Sequence, residues 1–245
     1  MAEPSYDERR QSFGSIARDY DRFRPGYPAE GIEWVLGRDP LRVLDLAAGT
    51  GRLTRSLVEL GHAVVAVEPD EQMIAVLRHQ AEVEVHVGSA EQIPLPDASV
   101  DAVMVGQAFH WFDAPAALDE MARVLVPEGA LGLLWNVLDD RVPWVDALTR
   151  VTGGEARWSL THGEPDPDLA PRFTDVVSRE FPNPQSMDLA HLLGVVESWS
   201  HVFLNERRTE LLAAAEAAIR GQLPPEQLTH LELPYITSFV RGRLA

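Results

Sequence analysis

The chain has no cysteine among its 245 residues. Disulfides, thiolate metal sites and thiol nucleophiles are therefore excluded. Basic side chains are also scarce, with 21 Lys and Arg against 38 Asp and Glu and a formal net charge of -17. A field of that sign repels phosphate backbones, and no run of Lys or Arg offsets it, so no nucleic-acid partner is expected. No apolar run approaches the roughly 20 residues a membrane-spanning helix requires. The start, Met1-Ala2-Glu3-Pro4, has neither the basic nor the apolar part of a signal peptide. These absences suit a cytoplasmic protein with no membrane partner. His110, His162, His191 and His201 lack the spacing of metal ligands, so no metal is expected. Internal repeats are missing too.

What is present suits one large domain: hydrophobic residues make up 45% of the chain, enough for a sizeable core. From about 42 to 136, short apolar runs alternate with helical patterns. Strands are expected at Arg42 to Ala48, Ala63 to Glu68, Val83 to Val87, Val100 to Ala108 and Ala130 to Trp135. Helices are expected at Gly51 to Leu60, Glu71 to Ala81 and Ala114 to Val126. Continuous apolar strands separated by helices indicate a parallel sheet covered on both faces. The fold class is thus α/β and doubly wound, with ligands beyond the carboxyl ends of the strands.

The flanks are less regular. Residues 6 to 36 read as helices broken around Arg24-Pro25-Gly26-Tyr27-Pro28. Residues 163 to 184 read as a proline-rich acidic loop with a strand near Val176 to Phe181. Leu189 to Trp199 and Glu206 to Gly221 read as helices, and Leu228 to Arg241 as a last strand. The expected organisation is a single domain over 1–245. It comprises N-terminal lid helices over 1–36, a cofactor-binding core over 42–136, and a substrate-side insertion with the final strands over 137–245.

The chemistry begins at Asp45-Leu46-Ala47-Ala48-Gly49-Thr50-Gly51, which follows a strand and opens a helix. Glycines there allow a sharp turn and close backbone approach to a ligand. A dinucleotide fingerprint would place a third glycine at 54, where Thr54 stands. Glu68 closes the second strand near the spacing at which a carboxylate meets ribose hydroxyls. Turn and acid together indicate an adenosine-type ligand and do not separate NAD from S-adenosylmethionine (SAM).

In this order, the turn, Val65-Ala66-Val67-Glu68-Pro69, Gly88-Ser89-Ala90-Glu91-Gln92-Ile93-Pro94 and Gln107-Ala108-Phe109-His110-Trp111-Phe112 resemble class I SAM-dependent methyltransferases. So does the earlier Tyr20 to Pro28 segment. The combination is similar to the branch containing trans-aconitate methyltransferases and other small-molecule enzymes. The resemblance implies a mainly parallel seven-stranded sheet with an antiparallel final hairpin and a helical lid or insertion. It implies SAM as cofactor, S-adenosylhomocysteine as product and a small-molecule acceptor that takes the methyl group on an oxygen or carbon nucleophile. Gly49 and Gly51 would meet the methionyl part, supported by Asp45. Glu68 would hold the ribose, with Pro69 following it. Met73 would pack on the adenine, Ala90 would contact its edge, and Glu91 would lie beside it. Gln107 would sit at the methyl end. Tyr20 and Arg24 belong to a segment that folds over the cofactor in relatives, where Arg24 could pair with its carboxylate. Ser89, where many relatives carry Asp, and Ala47, where a glycine is common, depart from the pattern. His110, just past the fourth strand, is the candidate catalytic base, with Phe109, Trp111 and Phe112 as aromatic wall. Asn136, ending the fifth strand, is placed to face substrate. A non-catalytic SAM-binding regulator and an NAD-linked oxidoreductase are the competing readings.

Overall fold

A computed structural model describes residues 25–153, 169 and 172–245. They fall into two compact units: a larger one built mainly from 26–136, 172–181 and 237–245, and a smaller one from 137–153 and 182–236.

The larger unit carries helix α1 (Ala29–Leu36), strand β1 (Arg42–Leu46), α2 (Arg52–Glu59), β2 (Ala63–Glu68), α3 (Glu71–Gln80), β3 (Glu84–Val87), β4 (Val100–Gly106) and α4 (Ala114–Val124). Strands β5 (Leu125–Leu138), β6 (Phe173–Pro182) and β9 (Tyr235–Leu244) complete a seven-stranded sheet in the order β3-β2-β1-β4-β5-β9-β6. Strands β3, β2, β1, β4 and β5 run parallel. On the far side, Asp139 N–H donates to the Pro234 carbonyl and the Thr237 hydroxyl to Asn136. Rising numbers on β5 thus meet falling numbers on β9, so that pair is antiparallel. The same logic applies to β6, where Ala245 N–H donates to Arg172 and Asn183 N–H to Tyr235. The sheet is therefore mainly parallel with one reversed strand, as the resemblance implies.

Val43, Val64, Ala102 and Leu134 face a cluster that includes Ile32 of α1 and Leu53 and Leu57 of α2. The residues alternating with them, Leu44, Val65, Val103 and Leu133, are equally buried. Both faces of the sheet are covered, which is why its strands read as unbroken apolar runs. Helix α1 lies close to the sheet: a Cβ at Gly31 would collide with the Phe239 ring on β9.

The smaller unit has its own core. Trp144, Val145 and Leu148 of α5 (Pro143–Thr152) pack with Leu192 and Val195 of α6 (Leu189–Glu197) and Ile219 of α8 (Arg208–Gln222). A short α7 (Ser200–Phe203) follows α6, and β7 (Gln185–Met187) pairs antiparallel with β8 (Leu231–Leu233).

Boundaries differ from expectation in three instructive places. Strand β5 starts at Leu125 rather than Ala130, carrying Val126-Pro127-Glu128-Gly129 through an irregular register against β4. The expected single strand Leu228 to Arg241 is instead a 3-10 turn, then β8, then β9, which join different sheets. Pro234 stands between β8 and β9 and has no N–H to extend a ladder. Helix α5 was not anticipated at all.

Candidate functional site

The parallel register aligns the carboxyl ends of the first strands. Leu46 lies beside Val67, Glu68 beside Val87, and Asp45 beside Met104. This edge gathers the turn after β1, Glu68 and Pro69 after β2, Met73 near the start of α3, the loop after β3, and Gln107 after β4.

The turn is held in an unusual backbone state. Gly49 and Gly51 have φ of 57° and 87°, and Ala47 has φ 57°. The left-handed region costs a residue with a Cβ about 1–2 kcal/mol, so the glycine replaced by Ala47 leaves a strained position. At Gly51 an added Cβ would stand 2.9 Å from Leu77 Cγ. Among the described residues, no atom lies within 4 Å of a Cβ built on Gly49.

Two buried acids flank the turn. Glu68 is 7% exposed. One of its carboxylate oxygens accepts from Gly49 N–H at 2.9 Å and the other from Asp70 N–H at 3.0 Å. A carboxylate offers about four acceptor positions. Asp45 is fully buried on the side of β1 that faces α2. It accepts a 2.6 Å hydrogen bond from the Thr54 hydroxyl. Its Oδ1 has no partner among the described residues. Burial, reinforced by the charge of Glu68 and opposed by Thr54, pushes its carboxyl up to about 7. Thr54, which breaks the dinucleotide fingerprint, thus serves the buried acid.

Further along the edge, Met73 is buried in the first turn of α3. Asp70 caps that helix by accepting from the N–H groups of Gln72 and Met73. Ala90 is buried in the loop after β3, and Glu91 accepts from the Asp113 N–H at 3.1 Å. Gln107 has φ 60°. Its backbone N–H donates to the Leu134 carbonyl at 2.8 Å and its side-chain Nε2 to the Asn136 carbonyl at 2.9 Å. A carbonyl only accepts, so Gln107 must turn its oxygen the other way. Asn136 in turn donates to the Gly26 carbonyl at 3.1 Å and accepts from Thr237 at 2.6 Å. Its amide therefore braces neighbouring backbone, a use the sequence did not suggest for a residue expected to face substrate.

His110 sits in the 3-10 turn Phe109–Trp111, with its ring 4.8 Å from that of Trp111. Burial lowers its pKa to about 4, so the imidazole is neutral at pH 7. Tyr20 and Arg24 lie outside the described residues. Among the described residues no group of three His, Asp or Glu could hold a metal ion, and no helix is long and apolar enough to cross a membrane.

Sequence reading brought Asp45, Gly49, Gly51, Glu68, Pro69, Met73 and Ala90 to one edge, and the structure places them there. It missed Thr54 as a partner of Asp45, although the missing glycine marked that position. It also missed Glu120 and Arg123, whose spacing of three on α4 is an ion-pair signal.

A glycine turn flanked by two buried carboxylates thus stands at the carboxyl edge of a doubly wound sheet, the place where ligands bind in folds of this class. Residues 44–133 match the family described as a methyltransferase domain. An uncharacterized methyltransferase of Mycobacterium tuberculosis is 41% identical over 240 residues, covering 96% of each chain. A demethylmenaquinone methyltransferase of Thermus thermophilus is 33% identical over 179 residues, covering 63% of this chain and 78% of its own. A protein from Anaeromyxobacter dehalogenans, solved as a candidate type II methyltransferase, superposes with a TM-score of 0.70 at 26% identity. That match covers 90% of this chain and 98% of the other. The chain belongs to the class I SAM-dependent methyltransferase family.

Proposed function

We propose that this protein binds SAM at the edge formed by β1, β2, β3 and β4 and transfers its methyl group to a small-molecule acceptor through oxygen or carbon. The observation that carries the cofactor half is the pairing of Gly49 with Glu68: a left-handed glycine turn hydrogen-bonded to a buried carboxylate. That carboxylate is of the acceptor type that ribose hydroxyls require, and it is rigidly aimed, because Gly49 and Asp70 each hold one of its oxygens. Asp45, with a buried oxygen that lacks a described partner, suits a cationic amino group. Gly49 and Gly51 present backbone to the methionyl chain. Pro69, Met73 and Ala90 enclose the adenosine, with Glu91 fastening the loop that carries Ala90. Tyr20 and Arg24 complete the proposed set.

When bound, SAM supplies a methyl group already activated on a sulfonium, so little covalent chemistry is left to the protein. The chain's own part is alignment and exclusion of water. Gln107, locked by two hydrogen bonds to β5, holds an amide oxygen in a fixed direction at the end of β4. His110 is neutral at pH 7 and can accept a proton, but a pKa near 4 makes it a weak base. This suits an acceptor that is already anionic or acidic better than an aliphatic alcohol.

A small acceptor is supported by the net charge of -17, which disfavours nucleic acid. The similarity to a demethylmenaquinone methyltransferase and the likeness to the trans-aconitate branch point the same way. The test is a turnover screen of small acids, phenols and quinones with methyl-labelled SAM. Labelled product with stoichiometric S-adenosylhomocysteine is the expected outcome. Cofactor binding without turnover on any class would favour a regulatory SAM-binding protein instead.

A further inference from the structure

We infer that Arg123 and Glu120, on α4, are positioning residues that set the loop carrying Ala90 and thereby the protein's selectivity for the adenine end of its cofactor. The inference rests on the functional reading above.

The loop between β3 and β4 has little regular structure, only an isolated bridge between Ser89 and Gln92. It is fastened from outside. Arg123 donates through Nη2 to the Ile93 carbonyl and through Nη1 to the Leu95 carbonyl, both at 2.8 Å. It also pairs with Asp97 at 2.8 Å and, through Nε at 2.7 Å and Nη2 at 2.8 Å, with both oxygens of Glu120. Glu120 completes the ring by accepting from Ile93 N–H at 2.7 Å. The opposite end of the same helix adds a further tie, the Asp113 N–H to Glu91. Helix α4 thus brackets the loop from its first residue to its last turn.

The planar guanidinium is suited to this task, since its donors form a rigid fork that can serve carbonyls and carboxylates at once. All 21 cationic side chains of the chain are arginine. Ile93 and Leu95 are buried, so apolar packing keeps the loop attached, and the polar ring fixes its height and angle. A Cβ on Gly88 would stand 2.6 Å from Pro94, so the loop closes tightly on its own start and a shift at Ile93 reaches Ala90. No atom of Arg123 or Glu120 needs to touch the cofactor for this to work.

The experiment compares binding of S-adenosylhomocysteine with that of its inosine analogue, which differs only at the adenine edge. Wild type is expected to prefer the adenine form. Arg123→Met should weaken S-adenosylhomocysteine about tenfold or more and shrink that preference, while Arg123→Lys should fall between. Unchanged affinity in a folded variant, or equal loss for both ligands, would overturn the inference, because a purely structural role weakens both alike. If Arg123→Met does not fold, the same comparison is decided on Arg123→Lys and Glu120→Gln. Failure of wild type to bind S-adenosylhomocysteine would overturn the functional reading and this inference together. Binding by wild type with unaltered preference in the variants would overturn the inference alone.

Discussion

The two ends of the binding edge are built from opposite materials. After β1 and β2, one buried carboxylate, Glu68, holds the glycine turn at Gly49, and a second, Asp45, binds Thr54 on α2. After β4 and β5, the amides of Gln107 and Asn136 are held by backbone carbonyls, and the imidazole of His110 is neutral. Each end contains one non-glycine residue in the left-handed region, Ala47 and Gln107, so both store backbone strain. The difference lies in charge. Carboxyl groups, one of them ionising only near pH 7, suit the recognition of ribose hydroxyls and a cationic amino group. A neutral end suits transfer of a methyl group that arrives activated, because a nearby anion would compete with the acceptor for the sulfonium. On the proposed function, binding and transfer fall to different chemistry within one sheet edge.

The largest expected effect comes from the turn. Gly51→Val adds a Cβ where φ is 87° and Leu77 stands 2.9 Å away. Left-handed strain and overpacking together should cost about 2–4 kcal/mol of stability. Thermal unfolding checks this, and S-adenosylhomocysteine binding should be lost. A stable Gly51→Val protein that binds normally would show that the turn is not the anchor.

Glu68→Ala comes next, with an expected loss of roughly 1.5–3 kcal/mol in S-adenosylhomocysteine affinity, the scale of hydrogen bonds to a charged group. A side chain at a strand end would be expected from sequence to leave the fold untouched. Its two bonds to backbone N–H groups change that: removal leaves Gly49 and Asp70 donors unsatisfied. The melting temperature should therefore fall as well, and Glu68→Gln, which keeps one acceptor, should fall less.

The third contrast is in pH. Asp45 is raised in the folded state to about 7 from an ordinary 3.8. The native state holds that proton more tightly than the unfolded chain does. This group's contribution is fully present below pH 3.8 and is lost as pH rises through 7. The free protein should therefore lose stability between pH 4 and 8, by about 4 kcal/mol as an order of magnitude. Asp45→Asn should flatten that slope. Affinity for S-adenosylhomocysteine should run the other way, rising towards pH 8 as Asp45 ionises to meet the amino group. An identical slope in both proteins would remove Asp45 from the account.

The smallest effect belongs to the neutral end. His110 should stay neutral down to about pH 5, and NMR titration of its imidazole should show no step between pH 5.5 and 8. His110→Gln should change S-adenosylhomocysteine affinity by less than about twofold. A titration near 6.5 would return His110 to the role of an ordinary general base.

Legibility in the sequence follows the same divide. Strand β2 matches its expected span because Ala63-Val64-Val65-Ala66-Val67 is an uninterrupted apolar run ending on Glu68. The residues gathered at the sheet edge were readable because backbone turns and strand ends leave local signatures: glycines, an acid, a proline. Thr54, Arg123 and the Asn136 bridge were not, because each acts on a partner distant in sequence or on a carbonyl that any residue can provide. Helix α5 did carry a signal, with Pro143 at its first position and Trp144, Val145, Leu148 and Thr152 on one buried face. It was masked by the neighbouring acidic and proline residues. The start of β5 was hidden by Pro127-Glu128-Gly129, where Glu128 takes φ 61° in a segment that reads as a turn.

The most direct test of the central claim is calorimetric titration of the purified chain with SAM, S-adenosylhomocysteine and NAD under identical conditions, wild type beside Glu68→Gln. Binding of SAM and S-adenosylhomocysteine at one site per chain, weakened in Glu68→Gln, with no heat from NAD, is the expected result. Tight NAD binding with no response to either sulfur ligand would contradict it.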